Sequence, residues 1–239
     1  MYNLGVTRAS RRQDHLLQTP DTFIRAPLPG MQAATAIIHA APANGAGFTA
    51  YTAEMQSRGS LAPAAGQRFV YVLEGGIAIA AQKLVAAGYA YLPAGTPQAV
   101  LASETSRVLV IEKEYQSISG SVAPKSLTGN EATVAPQPLL GDSDIQVRTL
   151  LPDSPEFDFA VNSMTFQPGA SLGMTEMHVM EHGLLMLEGG GIYRLGDSWY
   201  PVAAGDFIWM AAFCPQWFGA IGKSPAKYLI YKDWNRHPL

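Results

Sequence analysis

The sequence predicts an all-β protein built from two tandem antiparallel barrels. Three observations support this fold class: a pattern that occurs twice in the same order, short β-branched or aromatic segments bounded by Gly or Pro, and no helical periodicity of useful length. Apolar residues make up 48% of the chain and charged residues only 15%, so much of the chain must be buried. One larger sandwich without internal symmetry is the alternative.

The repeated pattern has three parts whose order is kept. Leu-Glu-Gly-Gly at 73–76 recurs at 187–190, Ala-Ala-Gly at 86–88 recurs at 203–205, and Pro-Gln at 97–98 recurs at 215–216. A series of three matches at a nearly constant offset indicates a duplicated module. Residues 126–144 are rich in Gly, Pro, Ser, Thr and Asn and are predicted to be a linker, which gives an N-terminal domain at 1–125 and a C-terminal domain at 145–239.

The segments inside each copy have the composition of strands. Phe-Val-Tyr-Val-Leu at 69–73 and Tyr-Leu-Ile-Tyr at 228–231 are examples. Barrels close their own edges, so they are the natural architecture for many short strands of this kind.

Charge and cysteine content restrict the class of partner. The net charge is -3, and the only run of basic residues is Arg11-Arg12, so we expect no binding to nucleic acid or to an anionic membrane. No apolar run approaches 18 residues, and the single cysteine, Cys214, favours a reducing, cytoplasmic setting. The expected partner is a small molecule. Four Trp residues and the low charge also favour subunit contacts, and we predict a homo-oligomer.

Two of the five histidines fall in one nine-residue stretch, 175–183, together with Glu176. Two imidazoles and a carboxylate this close together favour a metal site. On a strand, Glu176 and His178 face the same side because side chains alternate. His182 lies four residues further, about 13 Å along a straight strand. The chain must therefore bend around residues 179–181 to bring His182 back opposite His178.

The same stretch, His-Val-Met-Glu-His at 178–182, also matches the H-x-x-E-H motif of a family of zinc peptidases. That motif requires a helix, because only there do the two histidines share one face. Gly169, Gly173 and Gly183 surround the segment and disfavour a helix. The peptidase interpretation is therefore the weaker one.

The spacing of these residues resembles the two motifs of the cupin family. Glu176 and His178 occupy the two histidine positions of the first motif, and His182 occupies its glutamate position. In the second motif Ala211 and Phe213 replace proline and glycine, and Gln216 falls on the last histidine position. The resemblance implies two tandem cupin barrels (double-stranded β-helix or jelly-roll) with metal ligands Glu176, His178, His182 and Gln216.

The N-terminal copy has lost this ligand set. Ala62, Ala64 and Arg68 stand where the C-terminal copy has Glu176, His178 and His182. Gln98 is retained, but one amide cannot hold an ion by itself. We predict that the N-terminal cupin is metal-free and structural, or that it supports a dimer.

Two neutral imidazoles, one carboxylate and one amide oxygen favour manganese, at one ion per chain, with iron, nickel or zinc as alternatives. The permuted set Glu-x-His-x(3)-His at 176–182 and the C-terminal run 228–236 resemble the ureidoglycine aminohydrolases. The resemblance implies a manganese-dependent hydrolase that releases ammonia from (S)-ureidoglycine, giving (S)-ureidoglycolate in purine (allantoin) catabolism. A cupin dioxygenase or isomerase acting on a small carboxylic acid, and a non-catalytic small-molecule-binding cupin, are the alternatives.

Strand alternation places Tyr228 and Lys232 on one face, so both can enter the barrel. By resemblance, Tyr193, Tyr228 and Lys232 are the substrate contacts, and Lys232 is the catalytic residue, placed to bind the carboxylate or to move a proton. The alternatives are ordinary ones. Each tyrosine belongs to the barrel core, and the lysine extends its ammonium to solvent.

Overall fold

The computed structural model describes residues 6–236, which form strands and three short 3-10 helices but no α-helix. The short helices are Pro20–Thr22, Pro42–Asn44 and Glu131–Thr133. The strands are β1 (Ser10–Arg11), β2 (His15–Gln18), β3 (Arg25–Ala26), β4 (Met31–Ala40), β5 (Thr49–Leu61), β6 (Gln67–Glu74), β7 (Gly76–Ile79), β8 (Gln82–Val85), β9 (Gly88–Leu92), β10 (Val100–Ala102), β11 (Ser106–Lys113), β12 (Leu127–Asn130), β13 (Gln137–Leu139), β14 (Asp142–Thr149), β15 (Phe159–Phe166), β16 (His182–Glu188), β17 (Gly190–Leu195), β18 (Ser198–Ala203), β19 (Phe207–Met210), β20 (Gln216–Ala220) and β21 (Ala226–Asp233). No helix in this part of the chain is long and apolar enough to cross a membrane.

The chain divides into two compact units, and the first comprises residues 24–134 and 154–158. Its main sheet has the strand order β12-β9-β6-β11-β5-β10-β7-β8, with β4 against β5 and β3 against β4. Alternate residues of neighbouring strands form the core. Val70 and Val72 on β6 lie opposite Val110 and Val108 on β11, and all four are fully buried. Phe69 and Tyr71, which alternate with these valines on β6, are also buried, so both faces of this strand are covered.

The second unit contains the described part of the first 23 residues together with 135–153 and 159–236. One of its sheets has the order β1-β2-β19-β16-β21-β15-β14-β13, and the other is β18-β17-β20. Its core takes Leu184 and Ile208 from the larger sheet and Tyr193 and Phe218 from the smaller. Both faces of the core are therefore β-sheet, as in a jelly roll.

The predicted domain limits differ from these units at two places. The N-terminal domain was predicted to begin at residue 1, but β2 pairs with β19 in the second unit, where Leu17 is fully buried. The predicted linker 126–144 is also partly ordered into strands. Its β12 pairs with β9 of the first unit, while β13 pairs with β14 of the second. Backbone pairing holds these polar segments in place although their composition is typical of loops.

The duplication is visible in the turn geometry of the two units. Gly75 follows β6 with a φ of 76°, and Gly189 follows β16 with a φ of 63°. In the turn of the second motif, Gly95 has a φ of 73° and its counterpart Phe213 a φ of 62°. A left-handed residue is retained at this position even where glycine has been replaced, so the turn itself is common to both copies.

Candidate metal centre

A cavity of about 160 Å³ in the second unit is lined by all seven residues that the sequence singled out. They are Glu176, His178, His182, Tyr193, Gln216, Tyr228 and Lys232. Most of the remaining lining is apolar, from side chains such as Leu172, Met180 and Ile230. A few polar groups converging in an apolar pocket are the usual composition of a small-molecule site. The roles of the seven residues remain predictions, but their meeting in one cavity is observed.

Glu176 and Gln216 are joined through their backbones. The Glu176 N–H donates to the Gln216 carbonyl at 2.8 Å, and the Gln216 N–H donates to the Glu176 carbonyl at 2.9 Å. This pair is an isolated bridge, so the strand predicted through residues 176–178 is wrong in extent. Bends at 173–174 and 179–180 limit the pairing to one position. The bridge nevertheless brings Glu176 and Gln216, 40 positions apart in the sequence, into direct register.

The predicted bend between His178 and His182 is present. The chain bends at Val179 and Met180, and His182 then begins β16. The two imidazole ring centroids lie 5.2 Å apart, and His178 Nε2 lies 3.2 Å from Glu176 Oε2. These three side chains therefore approach one another across the bend.

His182 is buried and electrically neutral at pH 7. Burial lowers its pKa to about 3, and the electrostatic interactions with His178 and Lys232 act in the same direction. A hydrogen bond to the Met180 backbone has the opposite, smaller effect. A neutral imidazole with one nitrogen held by the backbone keeps the other nitrogen available as a ligand.

Tyr193 contacts Gln216 through its hydroxyl. Its hydroxyl donates to Gln216 Oε1 at 3.2 Å, and both side chains are buried. Burial raises the pKa of Tyr193, so the phenol remains a protonated donor at neutral pH. In this structure the hydroxyl therefore contacts a predicted ligand.

Two imidazoles, one carboxylate and one amide oxygen suit a divalent ion by chemistry, and the neutral state of His182 fits that role. Their donor atoms are not tightly gathered. Among the residues that the structure describes, the single group of three His, Cys, Asp or Glu donors within 4.8 Å of one another is Asp14, His15 and Cys214. The donors of Glu176, His178 and His182 are therefore more widely spread, and the side chains must close around an ion to bind it.

The Asp14, His15 and Cys214 cluster is explained by its own hydrogen bonds. His15 Nδ1 lies 2.9 Å from Asp14 Oδ1, and His15 Nε2 lies 2.9 Å from the Tyr200 hydroxyl. Both ring nitrogens are thus engaged. Burial raises the pKa of Cys214 to about 11, so its thiol is neutral at pH 7. Sequence analysis missed this cluster because Cys214 is about 200 positions from Asp14 and His15.

Lys232 reaches the cavity from β21, where its Cα lies opposite that of His182 on β16. Its ammonium lies 4.4 Å from the centre of the Trp234 ring, whose Nε1 donates to Asp153 Oδ1 at 2.7 Å. Burial lowers the pKa of Lys232, while Asp153 and Glu176 oppose that shift. The lysine therefore lines the cavity instead of extending freely into solvent. Trp234 and Asp153 were not predicted as its neighbours.

Asn162 on β15 is the polar lining residue that the sequence analysis missed. It lines the same cavity as Lys232, and its Oδ1 is buried without a hydrogen-bond partner among the described residues. An unpaired buried acceptor costs about 1–3 kcal/mol, so a ligand donor at this point would be stabilising. A polar residue in an alternating strand gives no sequence signal that distinguishes this role.

The fold and cavity define a two-barrel cupin with its candidate metal centre in the second unit. The cupin domain family matches residues 162–231. The chain is 41% identical to (S)-ureidoglycine aminohydrolase from Arabidopsis thaliana over 98% of this chain and 80% of that protein. It is 32% identical to (S)-ureidoglycine aminohydrolase from Escherichia coli K12 over 92% of this chain and 88% of that protein. A solved glyoxylate-induced protein from Pseudomonas aeruginosa superposes with a TM-score of 0.89 at 29% identity, covering 100% of this chain and 95% of that one. The chain belongs to the (S)-ureidoglycine aminohydrolase family.

Proposed function

We propose that this protein hydrolyses (S)-ureidoglycine to (S)-ureidoglycolate and ammonia in purine catabolism, with manganese as its cofactor. The observation that carries the proposal is the convergence of Glu176, His178, His182, Gln216 and Lys232 on one cavity in a member of this family. The family names favour this hydrolase over a cupin dioxygenase or isomerase. In the reaction one C–N bond breaks, one C–O bond forms, and the attacking water loses a proton while the departing amine gains one.

Glu176, His178, His182 and Gln216 are the residues proposed to hold the ion. A bound divalent ion supplies Lewis acidity and lowers the pKa of a coordinated water or amine. With that ion in place, Glu176 is the only anionic side chain among the cavity-lining residues of the described chain, so the lining carries net positive charge. A positively charged cavity favours an anionic substrate.

Lys232 is proposed to be the catalytic residue. Its partly buried ammonium lies at the cavity wall and has a lowered pKa, which suits both pairing with the substrate carboxylate and donation of a proton to the departing amine. Tyr228 and Tyr193 remain protonated because burial raises both pKa values. The Tyr228 hydroxyl is proposed to donate to the substrate, whereas the Tyr193 hydroxyl donates to Gln216 Oε1 and can contact the substrate only as an acceptor.

Asn162 is proposed to bind the ureido group. Ureido N–H groups are donors, and Asn162 Oδ1 is a buried acceptor that lacks a partner in the described chain. An Asn162→Ala variant should raise KM for ureidoglycine about tenfold, which is the loss of about one net hydrogen bond. Asn162→Asp keeps the acceptor and should bind substrate better than the alanine variant. Equal KM values in Asn162→Ala and wild type would remove Asn162 from the site.

The activity is tested by mixing freshly made (S)-ureidoglycine with manganese-loaded protein and following ammonia release and ureidoglycolate formation. Spontaneous decay is measured alongside, and His178→Ala serves as the matched protein control. We expect ammonia release well above both backgrounds. Release equal to that of the control would refute the proposed activity. The cytoplasmic setting and the homo-oligomer remain predictions from the sequence.

A further inference from the structure

The first unit has a cavity of its own at the place equivalent to the candidate metal centre. Its volume is about 290 Å³, larger than the about 160 Å³ of the second unit's cavity. Ala62, Ala64 and Arg68, the counterparts of Glu176, His178 and His182, all line it. Most of the other lining residues are apolar. The first unit therefore has a larger cavity beside the positions at which the metal ligands are missing.

A buried arginine forms the polar floor of this cavity. Arg68 is only 5% exposed, and its Nε donates to Glu112 Oε1 at 2.7 Å. Its Nη2 also lies 2.7 Å from Glu112 Oε1, and its Nη1 donates to the Ala62 carbonyl at 2.8 Å. The Tyr51 hydroxyl donates to the same Glu112 oxygen at 2.9 Å. These contacts hold the guanidinium and the carboxylate in fixed positions.

Hydrogen-bonding capacity remains after these contacts are counted. A guanidinium has five N–H groups, and the contacts with Glu112 and Ala62 use three, so one N–H is left on each terminal nitrogen of Arg68. All contacts to Glu112 from Arg68 and Tyr51 reach Oε1, so Oε2 retains its acceptor capacity. Arg68 and Glu112 are the charged residues among those lining this cavity, and their charges cancel.

We propose that this cavity binds the ureido group of a small ureido acid. A ureido carbonyl accepts from the Arg68 N–H groups while a terminal ureido N–H donates to Glu112 Oε2, so one planar group satisfies both partners. A metal ion lacks a ligand set here. A carboxylate placed at Arg68 would meet the negative charge of Glu112, whereas a neutral ureido group matches the neutral pair. The identity of the ligand class rests on the proposed function, because its substrate and product both carry a ureido group.

The test is titration calorimetry of the manganese-loaded protein with N-carbamoylglycine, a stable ureido acid that lacks the departing amine. We expect two molecules to bind per chain. His178→Ala, which disables the second unit's site, should still bind one molecule. That molecule occupies the first unit's cavity, and its binding does not depend on whether the protein releases ammonia. If ammonia release fails while His178→Ala still binds one molecule, the proposed function is wrong and this site stands.

Cavity-filling variants locate the binding. In the His178→Ala background, Ala64→Leu should abolish the remaining binding, while Ala86→Leu, at an exposed position outside the cavity, should leave it intact. Ala65→Leu, at an exposed position of the cavity lining, repeats the test if Ala64→Leu folds poorly. N-Acetylglycine replaces the terminal NH2 with a methyl group and should bind at least tenfold more weakly. Unchanged binding in both filled variants, or equal binding of the two compounds, would overturn the proposal.

Discussion

Replacing Lys232 with methionine is the sharpest test of the chemistry assigned to the cavity. Methionine keeps most of the apolar stem and removes the ammonium, which lies against the Trp234 ring at the cavity wall. A hydrogen bond from a charged group contributes about 1.5–3 kcal/mol. Each 1.36 kcal/mol corresponds to about a tenfold change in rate. Since Lys232 is partly buried, we expect a value near the upper end, or about a 10²-fold loss of turnover.

The assay is steady-state ammonia release with metal content measured on the same samples. Lys227→Met is the matched control. Lys227 lies on the same strand five positions before Lys232, so alternation places it on the opposite face, and it is not among the cavity-lining residues. Burial lowers the pKa of Lys232, so activity that needs the ammonium should fall as the pH rises through that lowered pKa. The Lys232→Met variant should lack this alkaline decline.

Three outcomes would contradict the assignment of Lys232. Near-normal kinetics in Lys232→Met would mean that the ammonium has no part in the reaction. Loss of manganese together with activity would mean that Lys232 supports the ligands and does not act on the substrate. An equal loss in Lys227→Met would show that the effect is not specific to the cavity.

Three further predictions follow from other parts of the chain. His178→Ala should lose bound metal with little change in thermal unfolding, whereas Gln216→Ala should retain more metal because water can replace a neutral ligand; equal metal loss in the two variants would contradict that ranking. Burial lowers the pKa of His39 from 6.5 to about 3, so below pH 6.5 His39 takes up a proton in the unfolded chain but not in the folded one. The free energy of unfolding should therefore fall by about 2 kcal/mol at pH 5. Urea unfolding of His39→Gln should show a smaller change with pH than wild type. Gly191→Ala places a Cβ 2.1 Å from the Gly219 carbonyl and should cost about 1–3 kcal/mol on urea unfolding; a wild-type midpoint would contradict this.

The sequence predicted those features of the site that depend on local periodicity. Alternation put Tyr228 and Lys232 on one face of β21, and both line the cavity. The reach of a straight strand required a bend before His182, and the bend is at residues 179–180. Both inferences use only the geometry of one segment, which the residues themselves determine.

Features that depend on long-range pairing were not predictable in the same way. The alternation in β2 gives it a buried face, but it does not specify that β19 is its partner. Asn162 looks like any polar residue of a half-exposed strand until its unpaired Oδ1 is located in the cavity. The strand expected at Glu176 is only a bridge, because bends at 173–174 and 179–180 end the pairing on both sides.

The central claim is that a single metal centre in the second unit supports ammonia release from ureidoglycine. Its most direct test measures manganese per chain and ureidoglycine turnover in the same preparations of wild type, His178→Ala and His182→Ala. We predict about one ion per chain in the wild type, with metal and activity lost together in both variants. Two ions per chain, an ion retained by both variants, or a metal-loaded wild type that releases no ammonia would contradict the claim.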